Sequence, residues 1–163
     1  MRSAEIETPK MTDTLTIALL GNPNCGKSTV FNQLTGLRQK VGNFPGVTVD
    51  KKVGKFELAD GKTVTLIDLP GTYNFYPTSQ DERVVLNILA NPKNKHYPDA
   101  IIYVADITQL EKHLLLFSQA RDLGIPILLA LNMSDAAAEK NIYYDTEQLE
   151  KVLQVPTVAI SGR

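Results

Sequence analysis

Apolar positions along the chain fall into two kinds of run. Leu15–Leu20, Ala100–Asp106, Pro126–Asn132 and Val155–Ile160 are short and nearly continuous, as in strands buried on both faces. Between them, Lys27–Thr35 and Gln109–Leu123 carry apolar residues at helical spacing and stop at Gly36 and Gly124, while Ser134–Lys140 and Thr146–Leu153 read as shorter helices. Val49–Leu58 and Thr63–Asp68 read as strands joined at Asp60-Gly61, a hairpin signal. Ser79-Gln80-Asp81-Glu82 is placed to cap a helix running to about Ala90. Arg38–Thr48 and Thr72–Thr78 lack periodicity and read as loops. Strands alternating with helices predict an α/β fold: a mostly parallel six-stranded sheet, one antiparallel edge strand, and helices on both faces. The polar, Pro9-containing residues 1–13 are expected to be a flexible tail, leaving 14–163 as one domain.

Composition narrows this picture little. A length of 163 residues, 43% of them hydrophobic, suits one globular core. A net charge of −1 argues against a non-specific nucleic-acid binder, and a single cysteine excludes a disulfide framework within the chain. The longest apolar runs fall far short of the ~20 residues that cross a bilayer, and no apolar leader follows Met1.

Chemistry enters at Gly21-Asn22-Pro23-Asn24-Cys25-Gly26-Lys27-Ser28, which matches the phosphate loop G-x-x-x-x-G-K-S/T between a strand and a helix. Glycine lets backbone N–H groups approach phosphate oxygens, and the helix start adds its positive end. Lys27 is the candidate for the β- and γ-phosphates and Ser28 for Mg²⁺, with Thr29 also in contact range. The fold expected is therefore that of a Rossmann-like P-loop NTPase. Asp68-Leu69-Pro70-Gly71 closes a strand, so Asp68 could hold Mg²⁺ through water and Gly71 could offer its N–H to the γ-phosphate. Thr48, after Gly46 and Val47, could place its hydroxyl on Mg²⁺ and order that segment with a triphosphate. In Asn132-Met133-Ser134-Asp135, the Asp135 carboxylate could accept from the two donors on the guanine edge, which adenine lacks. Asn132 would brace the loop and Met133, in place of the usual lysine, would cover the base. Ser161-Gly162-Arg163 could reach the base carbonyl. Cys25 is expected to be a small loop side chain without redox role. Arg38 is a candidate internal arginine finger, although a solvated loop arginine is the plainer reading, and His96 and His113 are expected on the surface.

These four ordered motifs, together with Val41-Gly42-Asn43-Phe44-Pro45-Gly46-Val47-Thr48-Val49 and Asp68-Leu69-Pro70-Gly71-Thr72-Tyr73, closely resemble the N-terminal GTPase domain of the ferrous iron transport protein B family, over about Leu15 to Arg163. The resemblance implies hydrolysis of GTP to GDP with Mg²⁺, and two switch segments around Gln39–Thr48 and Asp68–Asp81. It implies a K⁺ site made by the Asn24 side chain with the Gly42 and Phe44 carbonyls, which offsets charge as an arginine finger does elsewhere. With Lys27, Thr48, Gly71 and Asn24 as the catalytic set and Thr72 where a water-orienting glutamine often stands, hydrolysis is expected to be slow.

In that family the domain continues into a helical regulatory domain and a membrane permease. A place on the cytoplasmic face of a bacterial inner membrane is thus expected, with homo-oligomers possible. Ending at Ser161-Gly162-Arg163, the sequence is expected to lack the helix that would cover the sheet beside Val155–Ile160. Two alternatives stay open: a soluble ribosome-assembly-type GTPase, and a guanine-nucleotide sensor with negligible hydrolysis.

Overall fold

A computed structural model describes residues 14–36 and 38–161. The elements run β1 (Thr14–Gly21), α1 (Lys27–Thr35), β2 (Gln39–Asn43), β3 (Asp50–Glu57), β4 (Thr63–Asp68), α2 (Gln80–Ala90) and β5 (Ala100–Asp106). After a 3-10 turn (Ile107–Gln109) come α3 (Leu110–Asp122), β6 (Ile127–Asn132), α4 (Ser134–Glu139), α5 (Thr146–Leu153) and β7 (Thr157–Ala159). The expected tail at residues 1–13, and Gly162 and Arg163, lie outside the described residues.

The α/β architecture is the one the periodicity predicts, with one more strand. The sheet order is β2-β3-β4-β1-β5-β6-β7, seven strands rather than six. β4, β1, β5, β6 and β7 run parallel, while β3 is antiparallel to both β4 and β2. The added strand, β2, lies inside the stretch read as a loop. Its residues are Gln-Lys-Val-Gly-Asn, all half-buried or exposed, so no buried face imprints an alternating pattern. Pairing with β3, from Gln39↔Gly54 to Asn43↔Asp50, makes it a strand.

Two apolar clusters sandwich the sheet. On one face, Val84, Val85, Ile88 and Leu89 of α2 and Leu116, Phe117 and Ala120 of α3 pack on Ala18, Leu20, Ile67, Ile101 and Tyr103. On the other, Val30 and Phe31 of α1 pack on Leu19, Leu66, Val104 and Cys25. Successive residues of β1 thus supply opposite clusters, which explains why a parallel central strand reads as a continuous apolar run. Toward β7 the α1 face is thinner: Ile102, Leu128 and Ile160 are half-buried and Val158 is exposed.

Both histidines are buried, against the expectation of a surface position: His96 is 8% and His113 5% exposed. His113 stands on the inner face of α3 at helical spacing from Leu116 and Phe117. His96 meets the Phe44 ring edge to face at 5.6 Å. Burial is the main cause holding both below the ordinary histidine pKa; Lys51 and Lys95 add to it for His96, whereas Asp106 opposes it for His113. Among the described residues no helix is long and apolar enough to cross a membrane.

The start of α2 matters because it borders the site. The Ser79 side chain accepts from the Glu82 N–H, and the Glu82 carboxylate accepts from the Thr78 N–H and hydroxyl, which holds Glu82 below the usual carboxylate range. Replacing Ser79 by Ala is expected to cost about 1 kcal/mol. The check is a lower urea midpoint at unchanged slope; an unchanged midpoint would show that the cap carries no stability.

Candidate functional site

β1, β4, β5 and β6 all end at one edge of the sheet, in Gly21, Asp68, Asp106 and Asn132. In a parallel sheet this carboxyl edge is where ligands bind. The loop from β1 to α1 crosses it, and three observations fix its shape. Cys25 is fully buried among Leu19, Phe31 and Val104, so the loop is anchored by an apolar side chain. Asn132 is buried and donates from Nδ2 to the Cys25 carbonyl at 3.1 Å, tying the loop to the end of β6. Gly26 holds φ 86°, and a Cβ there would strike that Asn132 amide; only glycine fits between loop and brace. From the α3 side, the Asn22 side chain donates to the Lys112 carbonyl at 3.3 Å, and the buried Tyr103 hydroxyl donates to the His113 carbonyl at 2.6 Å. Burial pushes the Tyr103 phenol pKa well up, so the hydroxyl stays a donor.

Lys27, first in α1, is nearly buried. Its ammonium pairs with the Asp68 carboxylate, itself 8% exposed. The two lie in a cleft of about 360 Å³ that Thr48 and Gly71 also line. The structure thus gathers one candidate from each phosphate motif. Gly71 stands against Pro23 of the phosphate loop, where an added Cβ would come within 3.0 Å of the Pro23 Cα, so the loop after β4 packs tightly on the loop after β1. Ser28 and Thr29 are exposed on the first turn of α1. The Thr48 hydroxyl donates to Gln80 Oε1 at 3.2 Å, and the Thr72 hydroxyl turns away to the Asn74 carbonyl. Thr48 and Asp68 share the cleft and are oxygen donors of the hardness Mg²⁺ requires, whereas Ser28 is not among the residues that line it.

The potassium candidates are not gathered in the same way. Asn24, at φ 65°, lines a separate cavity with Tyr73 and Asp106. Gly42 is held in β2 opposite Lys51, and the Phe44 carbonyl accepts from the Val47 N–H at 3.3 Å. In this arrangement the three do not form a cation site. Gly46, at φ 77°, is exposed and Val47 half-buried. Arg38 is exposed on the rim of a larger groove along β3, remote from the cleft's lining. At the base-selecting motif, Met133 takes φ 65° as N-cap of α4, which carries Asp135 in its first turn. The Ser134 N–H reaches the Ile160 carbonyl at 3.2 Å, so α4 is joined to the segment leading to exposed Ser161.

Asp50, Lys52 and Asp81 also line the cleft and were missed in the sequence. Asp50 and Lys52 share one face of β3, but only the register, which sets Lys52 opposite Asp68, reveals which face looks into the site.

A glycine-bearing loop between strand and helix, a lysine opening that helix and an aspartate at the end of the neighbouring strand define a P-loop NTPase fold. Residues 15–163 match the family model described as "Ferrous iron transport protein B". The chain is 45% identical over 150 residues to the Fe(2+) transporter FeoB of Escherichia coli K12, an alignment covering 90% of the chain and 19% of that protein. The G domain of the T. maritima FeoB iron transporter superposes with a TM-score of 0.83 at 38% identity, over 91% of this chain and 88% of that one. A point mutant of S. thermophilus NFeoB bound to mGDP superposes with a TM-score of 0.84 at 40% identity, over 91% of this chain and 55% of that one. The chain belongs to the ferrous iron transport protein B family and spans about a fifth of the length of its curated relatives.

The environment of Cys25 makes a direct test of the loop's anchoring. Burial raises the thiol pKa despite the nearby Lys27. Ellman's reagent is therefore expected to label the native chain more slowly than the unfolded one by roughly a hundredfold or more, since labelling needs local opening. Equal rates would mean that the loop is not anchored as described.

Proposed function

We propose that this chain is the guanine-nucleotide switch of a ferrous iron transporter, binding GTP with Mg²⁺ and hydrolysing it to GDP and phosphate. The observation that carries the reading is the convergence of Lys27, Asp68, Thr48 and Gly71 on one cleft beside the phosphate loop. Its family membership and the GDP complexes of relatives support the same ligand.

The roles follow from chemistry. Backbone N–H groups of residues 24–29 and the start of α1 meet the phosphates. Lys27 bridges the β- and γ-phosphates and offsets charge that develops during transfer. Ser28, Thr48 and Asp68 hold Mg²⁺, which screens the phosphate oxygens when bound. Asp135 accepts from the guanine edge while Asn132 keeps the loop braced, and Met133 covers the base. The Thr72 hydroxyl is spent on Asn74, so backbone groups near Thr48 and Gly71 are left to orient the attacking water, and turnover is slow. Asn24 with the Gly42 and Phe44 carbonyls provides potassium stimulation only after β2 and the Phe44 turn rearrange, a motion suited to a switch segment. In the intact protein the domain acts on a helical regulatory domain and a membrane permease from the cytoplasmic side.

A phosphate-release assay tests the reading. GTP is expected to turn over slowly with Mg²⁺ and faster in KCl than in NaCl, and EDTA should abolish it. Asp135→Asn is expected to weaken GTP binding by about a hundredfold and to gain binding of xanthosine triphosphate, because the amide now matches the changed base edge. Negligible turnover in potassium would leave a sensor rather than an enzyme; unchanged GTP affinity in the variant would remove Asp135 from base selection.

A further inference from the structure

The cleft holds two lysines, and the nucleotide reading above uses only Lys27. The other, Lys52, is half-buried on β3, directly opposite Asp68 in the antiparallel β3–β4 pair. Residues opposite each other in such a pair project from the same face, with Cβ atoms about 5 Å apart. The Lys52 stem therefore starts beside Asp68 and reaches the cleft, whose wall it helps to form.

Asp68 does not account for it. The Asp68 carboxylate is paired with Lys27, and among the described residues no carboxylate lies within 4 Å of the Lys52 ammonium. The cleft's other carboxylates, Asp50 and Asp81, make it two cations against three anions before any ligand enters. Each lysine therefore offsets part of a net negative lining that a highly charged polyphosphate has to approach. Position decides which phosphate would feel Lys52. Its neighbours in the cleft are Thr48 and Gly71, the groups assigned to the γ-phosphate, whereas Asn22, Pro23 and Asn24 line a different cavity.

We infer that Lys52 reads the γ-phosphate: it is a specificity-determining residue that favours nucleoside triphosphate over diphosphate. This rests on the guanine-nucleotide reading and extends it to how the cleft distinguishes its two ligands. A charge on a half-buried stem facing a partly enclosed anion acts at an effective dielectric well below that of water. A diphosphate, which does not reach the Thr48–Gly71 end, gains little from it.

The test is equilibrium binding of fluorescent mant-GDP and mant-GMPPNP, a non-hydrolysable triphosphate, to the wild type, Lys52→Met and Lys52→Arg at fixed Mg²⁺. Met keeps the apolar stem, so folding is protected, and a thermal melt confirms it. The Met variant is expected to lose about tenfold in GMPPNP affinity, equal to about 1.4 kcal/mol, and less than about twofold for GDP. Arg is expected to restore most of the difference. Equal losses for both nucleotides, or none, overturn the inference, because a lysine that merely supports β3 would not move the triphosphate-to-diphosphate ratio. Wild-type chain that binds neither nucleotide overturns the guanine-nucleotide reading as well; wild-type binding with an unshifted Met variant overturns this inference alone.

Discussion

The contact between Lys27 and Asp68 is the constraint on which the site depends. Two opposite charges, each nearly buried, sit at the meeting point of the phosphate loop and the end of β4. Charges this far from water are stable only with a partner, and removing either one would strand the other at a cost of about 3–5 kcal/mol. These are also the two groups to which the proposed chemistry assigns a phosphate and a magnesium ion. Under that proposal, binding would exchange partners: the ammonium would turn to an anionic ligand and the carboxylate to a cation. The cleft by itself is charge-paired through Lys27 and Asp68, and the proposed liganded cleft would be paired differently, which would make it a two-state element.

The rest of the fold holds those two groups in place. β1 and β4 are adjacent and parallel with Leu19 opposite Asp68, which sets the separation of loop and carboxylate. Cys25 pins the loop into the α1-side core, Asn132 ties it to β6, and Asn22 ties it to α3. The loop is therefore held from three sides by uncharged groups. The loop after β4 is held as well, by the Thr72 N–H on the Gly21 carbonyl and by Gly71 against Pro23, whereas Thr48 itself is exposed. Thr48 keeps one exposed hydrogen bond to Gln80, and the Phe44 ring rests on His96. A rigid loop beside an exposed, singly tethered threonine is the division of labour a switch requires.

Most of the scaffold was legible in the sequence because burial on both faces writes strands such as Ala100–Asp106 as unbroken apolar runs. The motif residues were legible for a different reason: phosphate-loop spacing is local, and a loop must end where its strand ends. What escaped depends on pairing. β2 has no buried face to pattern it, and only β3 makes it a strand. Lys52 looks like any surface lysine until register sets it opposite Asp68. His113 carried a readable signal, its helical spacing from Leu116 and Phe117, whereas His96 did not, since its partner Phe44 lies 52 residues away in a segment read as loop. The potassium candidates are near in sequence yet lie apart, because Gly42 is engaged in the hairpin and Asn24 faces the α3 side.

Partner exchange at Lys27 and Asp68 is best tested by a crystal structure of this chain with GMPPNP, Mg²⁺ and K⁺. The account predicts that the Lys27–Asp68 contact opens beyond 4 Å, with the ammonium on the β- and γ-phosphate oxygens and Asp68 facing the hydrated magnesium. A bound triphosphate with the Lys27–Asp68 pair still closed would contradict it.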